Sequence, residues 1–112
     1  MDTFTPPSRE LASRVLGEVD FEDRFIGGSL HLRGGVRKFS LYSLEEIFML
    51  LREPYPQVDL DRLENWVRTV IHDRELADRM KAVTGQKATE QDALPLIRDL
   101  VGLRLIQCKQ RT

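Results

Sequence analysis

The one stretch where a histidine and several carboxylates crowd together is His72-Asp73-Arg74-Glu75, with Asp78 three residues further on. Such a group can move protons or hold a metal when its members converge on one pocket, and a zinc-type site asks for three or four nitrogen, sulfur or oxygen ligands. The other histidine, His31, and the single cysteine, Cys108, lie far away in the chain. His72-Asp73 therefore reads as a helix end followed by the cap of the next helix, with no catalytic or metal role assigned. Cys108 has Lys109 and Arg111 beside it, which favours a thiolate, but no resolving cysteine and no base accompany it, and it reads as a small apolar residue. Gly27-Gly28 and Gly34-Gly35 lack the following helix and the Lys-Ser or Lys-Thr pair of a phosphate loop, so no cofactor is implied.

Two kinds of binding chemistry remain. His31, Arg33, Arg37 and Lys38 surround Gly34-Gly35, and a basic hairpin tip of this kind can contact phosphates. The same cations also serve to keep a sheet edge from aggregating, and no interleaved aromatic residues are present to stack bases. Apolar residues outside the main helical stripes, Met49, Leu50, Leu96, Leu103 and Ile106, offer a surface for a protein partner. Tyr55, held between Pro54 and Pro56, is placed to join them, whereas Trp66 lies on an apolar stripe and is expected in the core.

These residues need elements to position them. Ser8 caps a first helix over about Arg9 to Leu16, and the acidic run Glu18, Asp20, Glu22, Asp23 follows as a solvated connector. Leu30 and Leu32, then Phe39 and Leu41, alternate with polar neighbours, so two strands flank Arg33-Gly34-Gly35-Val36. A two-residue Gly34-Gly35 turn would set Arg33 opposite Val36, His31 opposite Lys38 and Leu30 opposite Phe39. That register puts Leu30, Leu32, Phe39 and Leu41 on the core face, with Gly27-Gly28 as a bulge or strand start. Ser43-Leu44-Glu45-Glu46 is a capping box opening a helix to about Arg52. Asp59 caps the next, which uses Leu60, Leu63, Trp66 or Val67, Val70 and Ile71. The break at His72-Asp73 favours two helices over one bent helix, the second stopping at Thr84-Gly85. Thr89 caps a last helix that contains Pro95 and Gly102, with Ile97, Leu100, Val101, Leu105 and Cys108 as its main stripe.

The chain of 112 residues is expected to form one globular domain, 1–112, with residues 1–7 as a flexible arm. The fold class is α+β, predominantly helical, with four or five helices packed on one small antiparallel hairpin. Seventeen basic against eighteen acidic residues create no global field towards nucleic acid or membrane. The longest apolar run, Ile47 to Leu51, falls far short of the roughly 20 residues of a membrane span. With a single cysteine and no secretory leader, the expected location is cytoplasmic. Ser43 to Leu51 and Trp66 to Met80 together resemble small prokaryotic domains of unknown function. Those domains share a Ser-Leu-Glu-Glu helix start and a Trp-Val helix leading to Asp-x-Glu-Leu-Ala. The resemblance implies a prokaryotic origin and carries no activity or site residues. The expected role is non-enzymatic: a protein-interaction, adaptor or accessory module contacting a protein partner or a second copy. Nucleic-acid binding through the hairpin tip is the alternative.

Overall fold

The computed structural model describes residues 4–86 and 89–111. Its helices are α1 (Arg9–Leu16), α2 (Leu44–Leu51), α3 (Leu60–Trp66), α4 (Arg74–Gln86) and α5 (Glu90–Arg111). Strands β1 (Phe25–His31), β2 (Gly35–Leu41) and β3 (Pro56–Gln57) form an antiparallel sheet in the order β2-β1-β3. The fold is thus the helix-dominated α+β class that the periodicities indicate, with a third short strand added by the segment after α2.

The hairpin corrects the expected register. Phe25 faces Leu41, Gly27 faces Phe39, Ser29 faces Arg37 and Leu30 faces Val36. The connection is a turn over Leu32–Gly34, closed by the Gly34 N–H donating to the His31 carbonyl at 3.3 Å. Of the two glycines only Gly35 takes a positive φ, 66°, so the two-residue turn that needs it at both positions cannot form. The pairing slips by three residues, an odd number, so Leu30 and Leu32 no longer share a face with Phe39 and Leu41 and turn to the other side of the sheet. Phe25, Ser29 and Leu41 are buried, whereas Leu30 and Phe39 are about two-fifths exposed and Leu32 is 95% exposed. Gly27 explains the choice: a Cβ there would lie 2.7 Å from Leu50 Cδ2, so the bare backbone is what allows α2 to seat against this strand. Gly27-Gly28 lies inside β1 with no bulge in the pairing.

The caps behave as side-chain chemistry requires. Ser8 accepts from the Leu11 amide, Ser43 from Glu46, Asp59 from Asp61 and Arg62, and Thr89 from Asp92, all at 3.0–3.2 Å. In the box at α2 the Glu46 carboxylate reaches back to the Tyr42 amide at 2.6 Å. Between α3 and α4 the chain widens into a π-helical turn, Val67–Ile71, and stops at His72 in the left-handed region (φ 64°, ψ 33°). Asp73 then caps α4 through the Leu76 amide at 3.2 Å, so two helices meet at a corner. Thr84-Gly85 does not end the second, which continues to Gln86.

The long helix α5 lies against α1, α2 and α4 and brings Ala93, Ile97, Val101, Leu105 and Cys108 into one core with Leu44, Ile47, Leu63, Leu76 and Met80. Trp66 is 6% exposed, meets Phe25 edge to face at 5.9 Å and donates its indole N–H to the Asp23 carbonyl at 2.6 Å. The N-terminal arm is not free along its length: Phe4 and Pro7 are buried, and residues 1–3 lie outside the described part.

Candidate functional site

No set of three or more metal-ligating side chains comes together among the described residues, and no helix is long and apolar enough to cross a membrane. The acidic group after His72 is divided. His72 is exposed, Asp73 is fully buried, and Glu75 and Asp78 are engaged in ion pairs with arginines. Burial pushes the Cys108 thiol up; the nearby Arg104 charge opposes this in part and Asp73 adds to it. A thiol held neutral and fully buried is not a nucleophile.

What the fold does assemble is a shallow apolar surface where α2 crosses α5. Gly102 makes the approach possible: a Cβ there would stand 2.9 Å from the Phe48 ring. The result is a groove of about 590 Å³ floored by Phe48 and Gly102, walled by Leu103 and Ile106, and edged by Arg52, Arg98 and Asp99. Leu103 and Ile106 are more than half exposed, and Met49 on α2, outside the groove lining, is 64% exposed. Leu96, about two turns before Leu103 on α5, is 39% exposed. Leu50 does not join them. It is 5% exposed and packs inward against the bare backbone of Gly27, as the hairpin register demands.

Tyr55 is 56% exposed at a second cleft of about 570 Å³ between the β3 segment and the start of α5, with Leu30, Pro56, Leu94 and Pro95 around it. Arg98 borders both clefts, so they are adjoining parts of one face of the molecule.

The hairpin tip places Arg33, Arg37 and Lys38 in solvent, with His31 turned to Ser29 at 2.8 Å. Among the described residues none of the three cations has a carboxylate partner. Glu18, Asp20, Glu22 and Asp23 are equally exposed and equally unpaired. Charge is thus segregated along the hairpin, positive at the tip and negative at the base where the connector enters β1.

The residue that sequence reasoning missed is Arg104. It is 2% exposed and forks onto Asp73, Nε to Oδ2 at 2.7 Å and one terminal nitrogen to Oδ1 at 3.2 Å. Its other terminal nitrogen donates to the Thr5 carbonyl at 2.9 Å and the Gln107 side chain at 2.7 Å, and its guanidinium lies 4.9 Å from the Phe4 ring. Glu75 accepts from the Thr5 amide and hydroxyl, closing a knot between the arm, α4 and α5. The signal was present: Ile97, Val101, Arg104 and Cys108 share one helical face, so Arg104 is a cation on an apolar stripe. With every polar atom of the pair engaged, the knot is built to hold the arm and the helix corner, with no coordination left for a substrate.

No family model, no curated protein and no solved structure matches the chain.

Proposed function

We propose that this chain acts by binding a protein partner, as an adaptor or accessory module, and that the α2–α5 groove is where the partner sits. The observation that carries this reading is Leu103 and Ile106, each more than half exposed and walling one groove over Phe48, with Met49 on α2 and Leu96 on α5 exposed on the same two helices. Apolar side chains scattered singly need no explanation, but several around one concavity with a charged rim resemble the centre and rim of an interface. An apolar groove of this kind is the docking mode of an amphipathic helix or extended apolar segment, whose anchors would displace water from Phe48 and Gly102. Leu96, Tyr55 and the adjoining cleft give such a segment a path to continue. The test is affinity capture with the full chain against Leu103→Asp and Ile106→Asp variants, identifying what is retained. These positions are exposed, so the variants keep the helical circular dichroism signal while losing the partner; an unchanged set of retained proteins removes the groove from consideration.

Nucleic-acid binding at Arg33, Arg37 and Lys38, with His31, is supported by the unpaired cations at the tip. Against it stand the four carboxylates at the base of the same hairpin and the lack of an aromatic platform. A mobility shift at low salt that weakens in an Arg33→Ala, Arg37→Ala variant is its signature.

A further inference from the structure

Among the described residues the outer edge of β2 is open. The Leu30 N–H donates to the Tyr55 carbonyl at 2.9 Å, so the polar backbone groups of Leu30 point to the β3 side, away from β2. Its partner Val36 is then a non-hydrogen-bonded pair with it, and Val36, Lys38 and Ser40 turn their amides and carbonyls away from β1. Among the described residues no strand lies along that side. Tyr42, next in the same alternation, does have a partner there: its carbonyl accepts from the Val19 N–H at 2.7 Å. The acidic connector therefore occupies the edge at the C-terminal end of β2 and leaves free a slot as long as β2 itself. Such a strand, seven residues without proline or bulge, is a template for a further strand.

We infer that the occupant of this slot is β2 of a second copy, joined about a two-fold axis into one continuous six-stranded sheet. Charge complementarity selects it. An antiparallel β2–β2 pairing with full overlap sets Gly35 of one copy opposite Leu41 of the other and brings each tip to the other copy's connector. Arg33 of one chain then approaches Glu18 and Asp20 of its partner, with Arg37, opposite Phe39 of the partner, adding to the positive field of the tip, and the two-fold axis makes the match twice. The pairing ends where Val19 already holds Tyr42, so no existing hydrogen bond is broken. Val36, Lys38 and Ser40 each bond across the new junction, and Leu30 and Val36 of one copy line up with Ser40 and Ile26 of the other on one face. The one opposed contact is Lys38, which meets its own copy on the axis and limits the affinity. The association is accordingly reversible and sensitive to salt.

The experiment mixes two charge-reversed chains. One carries Arg33→Glu and Arg37→Glu; the other carries Glu18→Lys and Asp20→Lys. By sedimentation equilibrium the unaltered chain rises with concentration from 13.0 kDa towards twice that mass. Each variant alone remains monomeric, its association weakened about tenfold or more. Mixed in equal amounts they form a dimer again, since each tip then meets a connector of opposite charge. Lys38→Thr tightens the unaltered dimer severalfold, whereas for an acidic peptide or a nucleic acid at this edge the same change weakens binding. A chain monomeric at every concentration overturns the inference. So does a dimer that persists in both variants alone, or a pair of folded variants that does not recombine. The Leu103→Asp, Ile106→Asp chain still dimerises, which keeps this surface distinct from the α2–α5 groove.

Discussion

At the scale of single residues, stability is concentrated in the Arg104–Asp73 pair. Two charges removed from water gain little unless their remaining polar groups are also bonded, and here each side-chain nitrogen and oxygen of the pair has a partner: Asp73 also caps α4, and Arg104 also holds Thr5 and Gln107. Removing one partner leaves a buried unpaired charge, so Arg104→Met is expected to cost about 3–5 kcal/mol. The double change Asp73→Ser with Arg104→Met keeps an oxygen to cap Leu76 and removes both charges, and it recovers much of that loss. Denaturant unfolding of the two variants checks this, and a double variant no better than the single one would show that the pair is not the cause. Arg104 lay in plain view as a charge at the Ile97–Val101–Cys108 spacing. Its partner was not legible, because nothing in the local pattern distinguishes an N-cap aspartate at the surface from one that is buried.

At the scale of elements, helices were readable and the hairpin register was not. Caps and apolar spacing are local, so Ser8, Ser43, Asp59, Asp73 and Thr89 mark helix starts without knowledge of the fold. The register of β1 on β2 depends on which of two apolar sets meets α2. Leu50 decides that by needing the space left at Gly27, a contact between segments more than twenty residues apart. The π-helical turn at Val67–Ile71 has no sequence mark of its own and emerges from the fit of α3 and α4 to the rest. Glycine shows how the neighbourhood sets the sign of one substitution. Gly85 and Gly102 both lie in helices, and alanine is better in a helix by up to about 1 kcal/mol. A Cβ at Gly85 meets nothing within 4 Å, so Gly85→Ala stabilises by roughly 0.5 kcal/mol. At Gly102 it meets the Phe48 ring, so Gly102→Ala destabilises by about 1 kcal/mol and reshapes the groove floor. Shifts of the same sign in urea would remove the steric account.

At the scale of the whole molecule, the arm ties together what the core leaves apart. Phe4 is 6% exposed and sits among Arg79 and Arg104, with ring-to-guanidinium distances of 4.5 and 4.9 Å. Its carbonyl accepts from the Gln107 side chain at 3.1 Å, while Thr5 is held by Glu75 at 2.9 and 3.0 Å. An arm anchored to α4 and α5 in this way fixes the corner at His72, whose left-handed backbone is costly for a residue with a side chain. That corner meets α5 at Arg104, within the stretch of α5 that α2 touches at Gly102 and Lys109. The expected consequence is a division of effects. Phe4→Ala costs about 3 kcal/mol and lowers the melting temperature by roughly 10–15 °C for a domain of this size, because it opens the region around Arg104 as well as emptying its own site. In the folded population below that transition the open edge of β2 keeps its shape, because it does not touch the arm, whereas the α2–α5 groove loosens with the arm, since its walls Leu103 and Ile106 flank Arg104 and Gln107 on α5. Hydrogen exchange measures both parts. Loss of protection confined to the amides of α4 and the C-terminal half of α5 supports an arm that acts as a local clasp, whereas uniform loss would make it an inseparable part of one cooperative core.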